Sequence, residues 1–208
     1  MRSDAEKVTF IGSARRAQIV TAAIEVIAEI GWAQTSIRKI ADRVGVAMSA
    51  VLYHFGTKDN LVEAIVEEMY RSALFEVGPA LQAAETSAAK LTAYIRANIA
   101  YFDVHRVQLA ALAQLGAGYQ PSDGRRFGEL GMTDELREEL AVLDPTTILV
   151  AGQRDNEFGE FPVGSMSVAL RGAVNAVVEK ILREPDFDAR AYAEDLVIIF
   201  NRAVAVQR

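Results

Sequence analysis

The chain has no cysteine, and among its 208 residues there are two histidines, one tryptophan and five prolines. Without thiols it has neither a disulfide framework nor a thiolate zinc site. The imidazoles, His54 and His105, make no His-x-x-x-His pair, and neither a Gly-x-Ser-x-Gly elbow nor a phosphate-cradling glycine loop occurs. Carboxylates that are adjacent in sequence, Glu67-Glu68 and Glu138-Glu139, splay around a helix and read as solvated charge. No catalytic group, no cofactor and no metal is therefore expected. No apolar run approaches the ~18 residues of a membrane span, and Met1 to Gly12 lacks the apolar core of a secretion signal. The expectation is a soluble, cytoplasmic protein with no membrane partner. Strand-like alternation is also missing, so the fold class expected is all-α.

What is present suits a globular protein: 51% of residues are hydrophobic and 24% charged. The length allows one large domain or two small ones. The net charge of −6 at first speaks against a nucleic-acid partner, but it is unevenly spread. Residues 1–62 hold eight Lys and Arg against six Asp and Glu; the remainder holds fourteen against twenty-two. A mildly basic head on an acidic body fits a DNA-binding domain joined to one that repels DNA.

The most informative stretch runs from Thr35 to Leu61. Thr35-Ser36 has the hydroxyls of a helix cap, and Ile37, Ile40, Ala41 and Val44 then recur on one face of a short helix. Gly45 is the residue type that leaves a helix through positive φ. A second short helix follows from Ala47 to about Phe55, ended by Gly56, and Thr57 with Asp59 opens a third. Helix, glycine turn, helix is the helix-turn-helix pattern. Before it, residues 1–12 read as a polar arm, with Arg2 and Lys7 able to reach a groove. Helix one is expected from Ser13 to Ile30, with Val20, Ala23, Ile24, Ile27 and Ile30 buried.

This stretch resembles the DNA-binding domain of the tetracycline-repressor (TetR) family. The likeness is carried by Gly31-Trp32, by Thr35-Ser36-Ile37-Arg38-Lys39-Ile40-Ala41, by Gly45-Val46, and by Tyr53-His54-Phe55-Gly56-Thr57-Lys58-Asp59-Asn60-Leu61. It covers roughly the first 62 residues. Leu52 stands where the family usually has an aromatic, and Met48 and Ala50 where a polar residue is common. The resemblance implies a three-helix DNA-binding domain over 1–62 and a helical domain over 63–208 that dimerises and binds an effector.

The DNA contacts expected on this basis are Arg15, Arg16, Thr35, Ser36, Arg38, Ala47, Met48, Ser49, Ala50, Tyr53, His54 and Lys58. Arg38 is a candidate for a bidentate guanine bond or for a phosphate. Tyr53, His54, Lys58 and the Thr35-Ser36 helix start are candidates for phosphate contacts. Lys58→Ala is expected to weaken all DNA sequences alike and to lower the salt slope by about one.

Beyond the head, a helix from Thr57 is expected to reach about Val77 and to be broken or kinked at Gly78-Pro79, because proline lacks the amide donor and crowds the preceding turn. Further helices are expected over 88–103 and 106–115, and 116–133, with five glycines and Pro121, reads as a mobile loop. Thr133 or Asp134 starts the next helix, and Asp144-Pro145 restarts it toward Phe158. The last two helices, about 165–183 and 188–206, are apolar on more than one stripe, which points to a second copy packed against them. Val174, Val177, Val178, Ile181, Leu196, Ile199, Phe200 and Ala203 are the expected dimer interface. Candidates for an effector site are Tyr101, Phe102, His105, Gln108, Tyr119, Arg171 and Asn175.

The function that follows is a transcriptional regulator, a ligand-responsive repressor acting as a homodimer on a palindromic double-stranded DNA operator. The effector is an unidentified small molecule. The alternatives are an activator, or a ligand-independent helical adaptor whose head has lost sequence-specific DNA binding.

Overall fold

The computed structural model describes residues 4–206, with side chains from Gly12 onward. Arg2 and the side chain of Lys7, expected in a DNA-reaching arm, lie outside the described residues. Among the described residues every regular element is helical. The α-helices are α1 (Asp4–Ile30), α2 (Ile37–Val44), α3 (Met48–Phe55), α4 (Lys58–Ala83), α5 (Ser87–Val104), α6 (Arg106–Gly118), α7 (Asp134–Leu140), α8 (Pro145–Arg154), α9 (Val163–Arg183) and α10 (Ala189–Val204). Short 3-10 turns occupy Trp32–Gln34, Phe127–Glu129 and Ala141–Leu143.

The chain divides into two units. One joins Met1–Met69 to Val107–Met132; the other joins Tyr70–Arg106 to Thr133–Arg208. This differs from the boundary expected after residue 62, because Val107–Met132 packs with the head. Leu109, Ala111, Leu115, Tyr119 and Leu130 are buried in that segment. Gly131, at φ 62°, approaches α4 so closely that a Cβ would stand 2.5 Å from the Glu63 carbonyl oxygen. The stretch expected as a mobile loop is tied down at several points. The Ser122 hydroxyl donates to Asp59 at 3.0 Å, and Arg125 pairs with both Glu63 and Asp123.

In the second unit α5 is central, packing on α8, α9 and α10. The core there runs through Leu91, Ile95, Ile99, Leu149, Leu170, Val177 and Phe200. Its helix starts are capped by the side chains of Thr133, of Asp144 before Pro145 as expected, and of Asp188. One cap is supplied from a distance: the Glu157 carboxylate accepts from the Ser87 and Ala88 amides, 3.0 and 3.1 Å, at the start of α5.

Three helices depart from expectation. α1 begins at Asp4, not Ser13; residues 4–11 contain no proline and begin Asp-Ala-Glu-Lys, an acid at the positive end of the dipole followed by strong helix formers. α4 continues through Pro79 to Ala83. Gly78 carries no Cβ to meet the proline ring, and Val77 and Leu81 on either side are fully buried, which outweighs the lost hydrogen bond. α8 ends at Arg154, before the expected Phe158, because Asn156 adopts a left-handed φ of 58°. That reversal returns Phe158 over Gly152, where a Cβ would come within 2.0 Å of the ring. Gly152→Ala is expected to destabilise the fold by about 1–3 kcal/mol through overpacking, read as a shift of the urea midpoint. An unchanged midpoint would mean that Phe158 is free to move away.

Candidate nucleic-acid interface

α1, α2 and α3 form the head, α1 packing on α2 and α2 on α3. Ser36 caps α2 by accepting from the Lys39 amide at 3.3 Å. Gly45, at φ 73° and ψ 39°, turns the chain, its amide bonding Asp42 O while that of Val46 bonds Ala41 O. α3 follows without a side-chain cap and ends at Gly56, whose amide bonds Leu52 O at 2.7 Å. Val51 and Phe55 are buried, so Ala47, Met48, Ser49, Leu52 and Tyr53 face outward. Tyr53 is 86% exposed and stands edge-on to the half-buried His54 ring at 5.4 Å. Ala50 is half-buried.

The cations of the head differ in how they are held. Arg43 pairs with Glu29 and, at 3.2 Å, with Glu25, joining α2 to α1; this raises the Arg43 pKa and lowers that of Glu29. Arg16 lies over the Phe55 ring at 5.2 Å, and Arg15 donates to Gln18 at 3.0 Å. Lys39 Nζ donates to the Gln34 carbonyl at 2.9 Å. Arg38 is exposed and has no protein partner among the described residues.

Lys58 departs most from expectation. Its Nζ donates to the Thr35 carbonyl at 2.7 Å and stands 3.6 Å from the centroid of the Trp32 ring. Burial holds its pKa below that of an ordinary lysine, opposed by the charge of Asp59. Thr35 is likewise structural: it is buried, and its hydroxyl donates to Gly31 O at 2.8 Å. Two of the expected phosphate ligands thus serve to close the Trp32–Gln34 turn. Trp32 in turn meets Tyr119 edge-on at 5.2 Å. The Tyr119 phenol is pushed up to about 12, first by burial, then by its hydrogen bond to Asp59 and by the charges of Asp59, Glu63 and Asp123.

Trp32, Asp59 and Tyr119 as a set escape sequence reasoning, since no local pattern relates residues so far apart in the chain.

The expected effector residues are not assembled into one site. Gln108 and Tyr119 belong to the unit of the head, the others to the second unit. Tyr101 is buried against His105, ring to ring at 4.3 Å, and His105 Nε2 is 2.8 Å from Glu76 Oε1. Phe102 is half-buried against the core. Arg171 pairs with Asp144, and Asn175 is exposed on α9. A cleft of about 660 Å³ opens elsewhere, between α5 and α10. Ile99 and Ala193 lie on its floor, and Arg96 clasps Glu194 through bonds of 2.8 and 2.6 Å. None of the seven expected residues lines it.

The dimer expectation also needs correction. Val174, Val177, Ile181, Leu196 and Phe200 are buried in the chain's own core, and Val178 packs partly against it. Ile199 and Ala203 are exposed, together with Val168, Ala169, Gly172, Ala176 and Ile198. The second apolar stripe of these helices exists, but it is carried by those residues.

The family model of bacterial regulatory proteins, tetR family, matches residues 19–65, from within α1 to the first turns of α4. The regulator BetI of Cronobacter sakazakii is 29% identical over 115 residues, covering 53% of this chain and 57% of that protein. A helix-turn-helix transcriptional repressor of Mycobacterium tuberculosis is 49% identical over 53 residues, 26% of this chain and 28% of the repressor. The chain thus spans between about a quarter and just over half of the length of these curated relatives. Likeness to solved structures is broader and concerns the fold. FadR from Bacillus subtilis, in complex with stearoyl-CoA, superposes with a TM-score of 0.75 at 19% identity, over 90% of this chain and 98% of that one. A tetR-family protein from Rhodococcus RHA1 does so with 0.74 at 23%, over 93% and 98%.

Two measurements check the Trp32 turn. Lys58→Met is expected to lower stability by about 1–2 kcal/mol, from one charged hydrogen bond and one cation–π contact. It should also alter the fluorescence of the single tryptophan while leaving the salt slope of DNA binding unchanged; a slope lower by one would return Lys58 to the phosphate ligands. A raised folded pKa means that the native state holds its proton where the unfolded chain has lost it. Tyr119 therefore contributes stability below pH ~10, lost as pH rises through about 12. Tyr119→Phe should remove that late phenol titration and flatten the alkaline loss of stability; an unchanged alkaline profile would contradict it.

Proposed function

Because this chain belongs to the tetR family of bacterial regulatory proteins, we propose that it is a transcriptional repressor whose head binds a palindromic operator as a homodimer and releases it on binding a small effector. The observation that carries this reading is the recognition helix. It is anchored through Val51 and Phe55 and presents an exposed face, and Arg38 on the preceding helix is an exposed arginine with no protein partner among the described residues.

The DNA contacts in this reading are Ser36, Arg38 and Tyr53, with Arg15 and Arg16 on α1 and His54 at the end of α3. Phosphate contact falls to the α2 start and the arginines, since Lys39, Lys58 and Arg43 are held by groups of the head itself. Dimerisation is supported by the exposed apolar residues of α9 and α10: Val168, Ile198 and Ile199 are 72%, 49% and 54% exposed. A two-fold pair of heads reads half-sites roughly 34 Å apart or a multiple of it. The effector reading is supported by the α5–α10 cleft, whose volume is in the range of small-molecule sites. Release requires an effector that binds the free and operator-bound states with different affinity.

Footprinting on a duplex selected from a random pool tests this reading. A protected site with inverted symmetry is expected, and Arg38→Ala should cost about 1–3 kcal/mol of affinity, concentrated at one base pair in each half-site. A footprint without inverted symmetry would overturn the dimeric reading. A loss spread evenly over all sequences would make Arg38 a phosphate ligand.

A further inference from the structure

We propose that the head reads its operator chiefly through the C5-methyl groups of thymine, with Met48, Leu52 and Tyr53 as the reading side chains. This rests on the DNA-binding reading above and specifies what that surface recognises. α3 has two buried anchors, Val51 and Phe55, which turn Ser49 and Tyr53 directly outward and leave Met48 and Leu52 exposed along the flank of the buried stripe. On that flank Met48 is 49% exposed and Leu52 39%, and Tyr53 follows them on the outward side.

The helix carries no Asn, Gln, Lys or Arg, the side chains that make bidentate bonds to adenine or guanine edges in the major groove. Its hydrogen-bonding groups are the Ser49 hydroxyl, the Tyr53 phenol and the half-buried His54 ring. The neighbouring cations do not make up the difference, since Lys39 and Lys58 are bound to backbone carbonyls and Arg43 to two glutamates. Beside the Ser49 and Tyr53 hydroxyls what remains is apolar, and the apolar group that a base pair offers in the major groove is the thymine methyl. Arg38 adds one polar contact from the next helix. The operator should therefore be rich in thymine at the positions under α3, with selectivity at those positions set by the methyl groups.

The test uses the full chain and a duplex recovered by selection from a random pool. Each thymine of a half-site is replaced in turn by deoxyuridine, which removes the methyl and keeps the base-pair hydrogen bonds. An affinity loss of about four-fold is expected at each contacted thymine, the ~0.8 kcal/mol of one buried methylene-sized group. Met48→Ala and Leu52→Ala should each abolish that loss at one position while the other positions keep it. Equal affinity for thymine and uracil duplexes throughout would overturn the inference and leave DNA binding standing. Loss at thymine that both alanine variants retain everywhere would overturn the assignment to Met48 and Leu52. Selection that enriches no sequence would remove the DNA-binding reading itself, and this one with it.

Discussion

The burial of Val51 and Phe55 is the constraint on which the rest of the head depends. α3 has eight residues, too few to hold a helix in water unaided. It persists because those two side chains, 0% and 5% exposed, are inserted into the head and Gly45 turns the chain to bring them there. The same insertion determines what is left outside. A helix with Val51 and Phe55 inward turns Ser49 and Tyr53 outward, and Met48 and Leu52, at the edge of the buried stripe, stay partly exposed, apolar surface and all. Packing and recognition are therefore two consequences of one residue pattern.

Charge in the head is used mostly for cohesion. Lys39 and Lys58 bond the carbonyls of Gln34 and Thr35 at the end of the Trp32–Gln34 turn, and Arg43 bridges α2 to Glu25 and Glu29 of α1. Backbone carbonyls at a helix end lack internal partners, and lysine side chains are well suited to supply them. The exposed ion pairs contribute little each, since water and salt screen them, but they fix direction. The small positive excess of residues 1–62 therefore overstates the charge free to meet phosphate, and places more weight on Arg38 and the arginines of α1.

The sequence was most legible where structure is local. α2, the Gly45 turn, α3 and the start of α4 follow from periodicity and glycine position, and the starts of α7 at Thr133 and of α8 at Asp144 fall among the positions expected. It was least legible where distant residues decide. Pro79 was expected to break or kink its helix, and the helix continues to Ala83 because Val77 and Leu81 are buried on both sides of it. Phosphate roles for Thr35 and Lys58 followed from their place in the motif, while the Gly31 carbonyl holds the Thr35 hydroxyl and the Thr35 carbonyl and the Trp32 ring hold the Lys58 ammonium, the latter across more than twenty residues of chain. On α9 and α10 two apolar stripes were evident; which of them faces the core was not, and Ile199 and Ala203 alone of the eight expected interface residues are exposed.

The central claim is that one face of the head, made by the start of α2 and the outward side of α3, meets duplex DNA. Backbone-amide NMR mapping during titration with a selected operator tests it most directly. The account predicts shifts concentrated at Ser36–Lys39 and Ala47–His54. Perturbations confined to α9 and α10, or none at saturating duplex, would contradict it.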